Sequence, residues 1–247
     1  ITDYIDLVKD SLDKESVDYI LAAGTFGLMG ILATVGRRNT NYLGRKTLQY
    51  LHEKGIYNHL NKIKQIVREH GERFIQLLDL KVELDGQIYT MTPDEINLHR
   101  GKDRMGLYGI GPKTVARFKE ILEKSKTVYI KGDPTLADDR FIFPESKELI
   151  ETMVELTHQG AVTILSGGNT TKLVKRLQYS PDNDFKARTL AGGALIVFRT
   201  GELLAGLYML NTSYNAFNGL PLNHGLGSYN VGFDPVTPRI PELLKPR

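Results

Sequence analysis

The chain has 247 residues, no cysteine and a formal net charge of +3 at pH 7. Because 41% of its residues are hydrophobic and 25% are charged, the composition predicts a globular protein with a sizeable core and argues against disorder. The lack of cysteine excludes disulfides, thiolate metal sites and cysteine nucleophiles. The sequence also has no apolar run near the ~20 residues that cross a bilayer. Because a chain without cysteine is compatible with a reducing compartment, we expect an intracellular protein, in the cytoplasm or an organelle matrix.

The N-terminal part of the chain predicts helices around short strands. It begins at Ile1 inside an amphipathic helical pattern, so we expect a processed or truncated start. A compact strand is predicted over 17–23, ending at Gly24, and helices over about 41–54 and 58–70. FIQLLDLKVEL and QIYTM then predict strands, closed by the turn sequence TPDE.

Helical and strand patterns alternate from residue 111 to residue 177. The segments GPKTVARFKEILEKS and PESKELIETMVELTHQG predict helices, and KTVYIKG and AVTILS predict strands. This alternation predicts an α/β fold with a mainly parallel sheet and helices on both faces. Ligands of such sheets bind beyond the carboxyl ends of the strands, so the loops after Ala23, Ile130 and Leu165 are the candidates.

The segment AVTILSGGNTTKLVKRL combines a strand, a glycine turn and a helix start. Gly167 and Gly168 follow the strand, and Asn169 and Thr170 open the helix. A helix N-terminus exposed by glycines presents free N–H groups and a positive dipole end. The segment therefore predicts a phosphate-binding turn, with Thr170 and the backbone amides as the groups that contact the anion.

Other motifs give no catalytic or metal site. GIGPKT is not a Walker A loop, because Leu107 and Pro112 stand where that motif needs glycine. The six histidines lack the spacing of a helical metal site. Asp138 and Asp139 are the conspicuous acidic pair of a candidate ligand loop; they could hold a metal or a ribose, or simply be solvated. We predict no catalytic residue and no metal site.

The C-terminal part changes in character. A final pair of strands is predicted around Gly192 and Gly193, and residues 211–247 read as an extended tail rich in Gly, Pro, Asn and Tyr. We therefore predict a domain over 1–210 and a tail over 211–247 that contacts protein partners. Residues 100–131 carry nine Lys or Arg against three acids, but without the aromatic interleaving of single-strand binders, so nucleic acid ranks below protein as a partner.

Four segments, in this order and spacing, resemble the C-terminal, nucleotide-binding half of phosphoglycerate kinase: MGLYGIGPKTVARFKEILEKSKTVYIKGDP, ELIETMVELTHQGA, VTILSGGNTTKLVKRL and LAGGALIVFRTGELLAGL. The resemblance extends over roughly 1–210 and implies a Rossmann-like domain that binds ATP or ADP with magnesium. It implies these nucleotide-contacting residues: Gly24, Gly111, Lys131, Gly132, Gly167, Gly168, Asn169 and Thr170.

The resemblance is weakest in the loops. Asn169 stands where the family has the aspartate that handles the metal-bound phosphates, and a neutral amide holds Mg²⁺ poorly. Ala22 and Ala23 stand in the family's glycine cluster beside adenine, and the loop from Lys131 supplies no glutamate for the ribose. These departures imply either no cofactor or weakly bound ATP or ADP, and a poor magnesium site.

Three hypotheses follow. The leading one is an inactive phosphoglycerate-kinase-like domain that serves as a structural or regulatory subunit, attached through its tail. The alternative is the ATP/ADP-binding part of an active phosphoglycerate kinase, which transfers a phosphoryl group between 1,3-bisphosphoglycerate and ADP. A third is a nucleotide sensor that binds phosphate without catalysis. Lys131 could replace metal charge at a phosphate, or form a salt bridge to Asp133 or another carboxylate.

Overall fold

The structure is a computed structural model that describes residues 2–35, 43–99, 106–135 and 142–190. The chain divides into two units, Ile1–Glu202 and Leu203–Arg247, and every described residue lies in the first. Among the described helices, none combines the length and the hydropathy that a membrane span requires. The predicted domain boundary at 210, the predicted tail and most of the strand pair predicted around Gly192 lie outside the described residues.

The N-terminal region holds four α-helices and a two-stranded parallel sheet. Its elements are α1 (Thr2–Asp13), β1 (Ile20–Leu21), α2 (Gly24–Val35), α3 (Arg45–Glu53), a 3-10 helix (Ile56–His59), α4 (Leu60–His70) and β2 (Phe74–Ile75). The strand predicted over 17–23 is wrong in length, because the Arg73 guanidinium donates to the carbonyls of Val17 and Asp18, where a strand ladder would continue. Helix α2 lacks an amphipathic pattern because most of its length is buried.

A three-stranded antiparallel sheet follows. It consists of β3 (Leu80–Leu84), β4 (Gln87–Met91) and β5 (Gly106–Ile110), in the order β4-β3-β5. Asp85 and Gly86 both have positive φ, 51° and 83°, which is the conformation of a tight two-residue hairpin turn. The sequence TPDE, predicted as a turn, begins helix α5 (Pro93–Leu98), because Thr92 and Glu95 form a reciprocal capping box.

The last region confirms the predicted alternation. It runs through α6 (Pro112–Leu122), β6 (Thr127–Lys131), α7 (Pro144–His158), β7 (Val162–Ser166), α8 (Gly168–Arg176) and β8 (Ala187–Thr189). The three strands form a parallel sheet in the order β6-β7-β8, and the register pairs Lys131 with Ser166. The carboxyl ends of β6 and β7 therefore lie side by side at one edge of the sheet.

One core joins the helices to the sheets. The apolar face predicted for α6 is buried through Val115, Phe118, Ile121 and Leu122. Full burial of such a side chain contributes roughly 1.5–3 kcal/mol. This packing holds α6 against α7 and fixes the helices from which the loops at the sheet edge depart.

Candidate functional site

The loops after β1 and β6, both predicted from the sequence, meet at the carboxyl edge of the strands. The Gly24 N–H donates to the Pro134 carbonyl at 3.0 Å. Gly24 has φ +52°, and a Cβ built on it would lie 2.9 Å from the Asp133 carbonyl oxygen. Gly24 is therefore required for this close approach.

The loop after β6 also meets the start of α8 through Thr170. Its fully buried hydroxyl accepts the N–H of Gly132 at 2.8 Å and lies 2.8 Å and 3.1 Å from the carbonyl oxygens of Ser166 and Gly132, to either of which it can donate. The hydroxyl predicted to contact an anion is thus engaged in joining two loops. Because the whole of Thr170 is buried, the exposed residues at this helix start are Gly168 and Asn169.

The N-terminus of α8 is open. Gly167 precedes the helix with φ 89° and ψ 156° and has no side chain that could cap the first turn. The first N–H groups, those of Gly168, Asn169 and Thr170, therefore lack an intrahelical partner. Gly168 and Asn169 are exposed, and a Cβ built on Gly168 would meet no heavy atom within 4 Å. The donors and the free space fit an anionic group such as a phosphate.

The N-terminus of α6, by contrast, is filled from within. The carboxylate of Asp79 is buried and accepts the N–H groups of Lys113 at 3.0 Å and Thr114 at 2.8 Å. A Cβ on Gly111 would lie 2.3 Å from the Asp79 Cγ. The structure thus places Gly111, a predicted nucleotide contact, against an internal carboxylate.

Lys131 lies at the end of β6 beside helix α1. Its Nζ is 4.1 Å from the centroid of the Tyr4 ring, a cation–π distance. The Asp133 Oδ1, which was a candidate partner of Lys131, accepts the N–H of Thr135 at 3.0 Å and the hydroxyl of Ser146 at 3.3 Å. Asp133 therefore ties its loop to α7.

The start of α8 does not fit a magnesium site. Its residues Gly167, Gly168, Asn169 and Thr170 include no carboxylate, whereas Mg²⁺ in proteins is held by one or two carboxylates together with substrate phosphates. The acidic pair Asp138 and Asp139 lies outside the described residues. The residues that open α8 therefore offer N–H donors to a phosphate and no carboxylate to a metal ion.

Among the described residues, a cluster away from this site has metal-ligand chemistry. Ligand atoms of Asp13, Glu69 and His70 lie within 4.8 Å of one another. The ammonium of Lys9 already lies 2.6 Å from Asp13 and 3.5 Å from Glu69. Hydrogen bonds from Lys9 and His70 hold the pKa of Asp13 below its usual range, and hydrogen bonds from Gln65 and Arg68 lower the pKa of Glu69. The cluster is an ion-pair network between α1 and α4.

The comparison with known families decides the relationship. The family model of phosphoglycerate kinase matches residues 1–202. The chain belongs to the phosphoglycerate kinase family. Its relatives include the phosphoglycerate kinases of Aeropyrum pernix, 27% identical over 82% of this chain and 47% of the relative, and of Elusimicrobium minutum, 31% identical over 68% and 41%. The chain thus spans about half the length of these phosphoglycerate kinases.

The fold agrees with that family. The crystal structure of phosphoglycerate kinase from Pyrococcus horikoshii OT3 matches with a TM-score of 0.68 at 21% identity, covering 87% of this chain and 50% of the other. This likeness shows the α/β architecture of the domain. The predicted family and the predicted fold class are both confirmed.

Two residues near the candidate site of this phosphoglycerate kinase-family domain were not predicted as site residues from the sequence. Asp79 caps α6 from a position 32 residues upstream of Gly111, so no local pattern marks it. Ser166 is buried at the end of β7, and its hydroxyl forms no hydrogen bond. Its position directly before Gly167 could have indicated it, because a polar residue that ends an apolar strand at a ligand loop is a candidate ligand contact.

Proposed function

We propose that this chain is the nucleotide-binding half of a phosphoglycerate kinase and that it holds ADP or ATP by the phosphates at the start of α8. The open first turn of α8 carries the proposal, because free N–H groups and empty space occur where the loops after β6 and β7 meet. Membership of the family supports the choice of nucleotide over other anions.

The reaction proposed for the whole protein is phosphoryl transfer between 1,3-bisphosphoglycerate and ADP. Such transfer depends on positioning and on electrostatic stabilisation of the moving group. The residues described here contribute the first of these: the Gly132–Thr170 hydrogen bond fixes the loop after β6 relative to the first turn of α8. The family resemblance implies that the other domain binds the phosphoglycerate, so we propose that 1,3-bisphosphoglycerate binds outside this chain, which spans about half the length of its relatives.

A second candidate function is nucleotide binding without transfer, in a structural or regulatory subunit. Asn169 favours it, because this residue stands where the family resemblance places the metal-handling aspartate. The nearby Asp133 does not replace that carboxylate freely, since its Oδ1 already accepts hydrogen bonds from Thr135 and Ser146.

Two measurements separate these functions. Isothermal titration of ADP and ATP, each with and without Mg²⁺, measures binding, and a coupled assay of ATP formation from 1,3-bisphosphoglycerate measures transfer. Saturable binding by the chain together with turnover by the full-length protein supports the kinase, and binding without turnover by the full-length protein supports the subunit. Absence of binding would overturn both.

Substitutions at Gly168 locate the bound nucleotide. Gly168→Val places a branched side chain in the open space at the helix start, so we expect ADP affinity to fall by about tenfold or more. Gly168→Ala, with a single methyl group, is the matched control and should lose less. Unchanged affinity in the Val variant would place the nucleotide elsewhere.

A further inference from the structure

Among the strands that the structure describes, β4 forms an exposed edge of the antiparallel sheet. It pairs with β3 on one side, where Gln87 lies opposite Leu84 and Tyr89 lies opposite Val82. In a two-residue hairpin the pair next to the turn is hydrogen-bonded, and such pairs alternate along the strands. The backbone N–H and C=O groups of Ile88 and Thr90 therefore face away from β3, toward solvent.

The edge lacks the usual protection against pairing with another chain. Natural edge strands carry charges, proline or bulges that prevent strand addition. The strand Gln87–Met91 contains no charged residue and no proline, and it pairs with β3 without a bulge. Its side chains Ile88 and Tyr89 are 52% and 43% exposed, and Leu98 of the adjoining α5 is 80% exposed. An extended segment added here would cover apolar surface and satisfy backbone groups.

The charges at the two ends of β4 select the partner. Asp85 in the turn and Asp94 at the start of α5 are both exposed. Two copies of β4 could pair in antiparallel fashion, centred on Tyr89. Asp85 of one copy would then lie beside Pro93 and Asp94 of the other, and the same contact would occur at both ends of the pair. Like charges in such positions repel each other, so self-pairing is disfavoured.

A basic residue of the neighbouring strand β3 is already engaged. Lys81 forms an ion pair with Glu145 at 2.8 Å and donates to the Thr90 hydroxyl at 3.0 Å. It therefore offsets Glu145 rather than the acids at the ends of β4. Glu95 is held in the capping box with Thr92.

From this geometry we infer that the outer edge of β4 binds an extended protein segment as an added antiparallel strand, and that this segment carries Lys or Arg at both ends. Main-chain hydrogen bonds to Ile88 and Thr90 supply the pairing, and the flanking acids supply the preference for basic residues. The site is independent of the proposed nucleotide function.

The test uses two fluorescein-labelled synthetic peptides and the full chain. The basic-flanked peptide is KRVTVTVRK, and the acid-flanked control is EDVTVTVDE. We expect fluorescence anisotropy to show saturable binding of the basic peptide at least about tenfold tighter than the acidic one, weakening as salt rises. Hydrogen exchange should slow at the amides of Ile88 and Thr90. Equal binding of both peptides, or binding of neither, would overturn the proposal.

Variants of β4 and its flanks complete the test. Ile88→Pro removes an outward N–H without removing a bond to β3, so it should weaken peptide binding by about tenfold, whereas Ile88→Val should not. Because the proline variant could fail to fold, Asp85→Asn/Asp94→Asn provides a second measure; asparagine tolerates the positive φ at residue 85. This double variant should lose the preference for the basic peptide. A retained preference, or wild-type dimerisation abolished by Ile88→Pro, would show that the partner was wrongly chosen.

Discussion

At the scale of single residues, Thr170 connects two loops of the candidate site through one buried hydroxyl. Thr170→Val leaves the Gly132 N–H without its acceptor, which costs about 1–3 kcal/mol of the free energy of unfolding. Thr170→Ser keeps the hydroxyl and should lose less than about 1 kcal/mol. Urea unfolding of both variants checks the prediction, and equal losses would show that the methyl group rather than the hydroxyl matters.

Two glycines at the starts of α6 and α8 should respond to alanine in opposite directions. Gly111→Ala forces a methyl group against the Asp79 carboxylate, so the free energy of unfolding should fall by about 1–3 kcal/mol or more. Gly168→Ala meets open space within a helix and should leave stability unchanged or raise it by about 0.5–1 kcal/mol. Thermal unfolding of the two alanine variants tests this prediction. Equal destabilisation of both variants would contradict the packing described.

At the scale of elements, a largely buried ion pair joins β3 to α7. The side chains of Lys81 and Glu145 are 19% and 8% exposed, and Glu145 Oε2 has no hydrogen-bond partner. Lys81→Met leaves the Glu145 carboxylate buried without its cation, so we expect a loss of about 3 kcal/mol in denaturant unfolding. Lys81→Met/Glu145→Gln should recover much of that loss. No recovery in the double variant would mean that the loss does not come from the unpaired Glu145 carboxylate.

The ion-pair network between α1 and α4 makes stability depend on pH. Because the folded-state pKa values of Asp13 and Glu69 are lowered, their contribution is present above the unfolded values of about 4 and is lost as pH falls through the folded ones. Asp13→Asn should therefore destabilise the chain at pH 7 and have progressively less effect below about pH 4. Urea unfolding over pH 3–7 measures this.

The control for that series lies on the same helix. Asp10 pairs with Lys14 at 2.7 Å, whereas Asp13 pairs with both Lys9 and His70, and a surface pair outside a network contributes little. Asp10→Asn should therefore change stability less than Asp13→Asn at pH 7. A difference between Asp13→Asn and the parent that stays constant from pH 7 to pH 3 would contradict the assignment.

At the scale of the whole molecule, the sequence predicted what local periodicity and glycine placement determine. The alternation from α6 to α8, the loops at the sheet edge and the glycine turn at Gly167 follow from patterns a few residues long. The Asp79 cap of α6 and the Gly132–Thr170 joint depend on residues about 30 to 40 positions apart, which no local pattern connects. Helix α2 was missed because its burial removes the amphipathic contrast.

The same distinction applies to function. The family follows from the order of segments, and the match over residues 1–202 confirms it. The suggested inactivity depended on single departures such as Asn169, and it remains a proposal beside the kinase. The choice between an active kinase and an inactive subunit depends on the start of α8. N–H donors for an anion are present there, but no carboxylate lies among the residues that open the helix.

The most direct test of the nucleotide site is amide NMR of the ¹⁵N-labelled chain titrated with ADP and, separately, with adenosine. If the phosphates bind at the open first turn of α8, the amides of Gly168, Asn169 and Thr170 shift with ADP and remain in place with adenosine, while Gly111, whose helix start is filled by Asp79, stays unshifted in both. Saturation with ADP that leaves the three α8 amides unmoved would contradict the account.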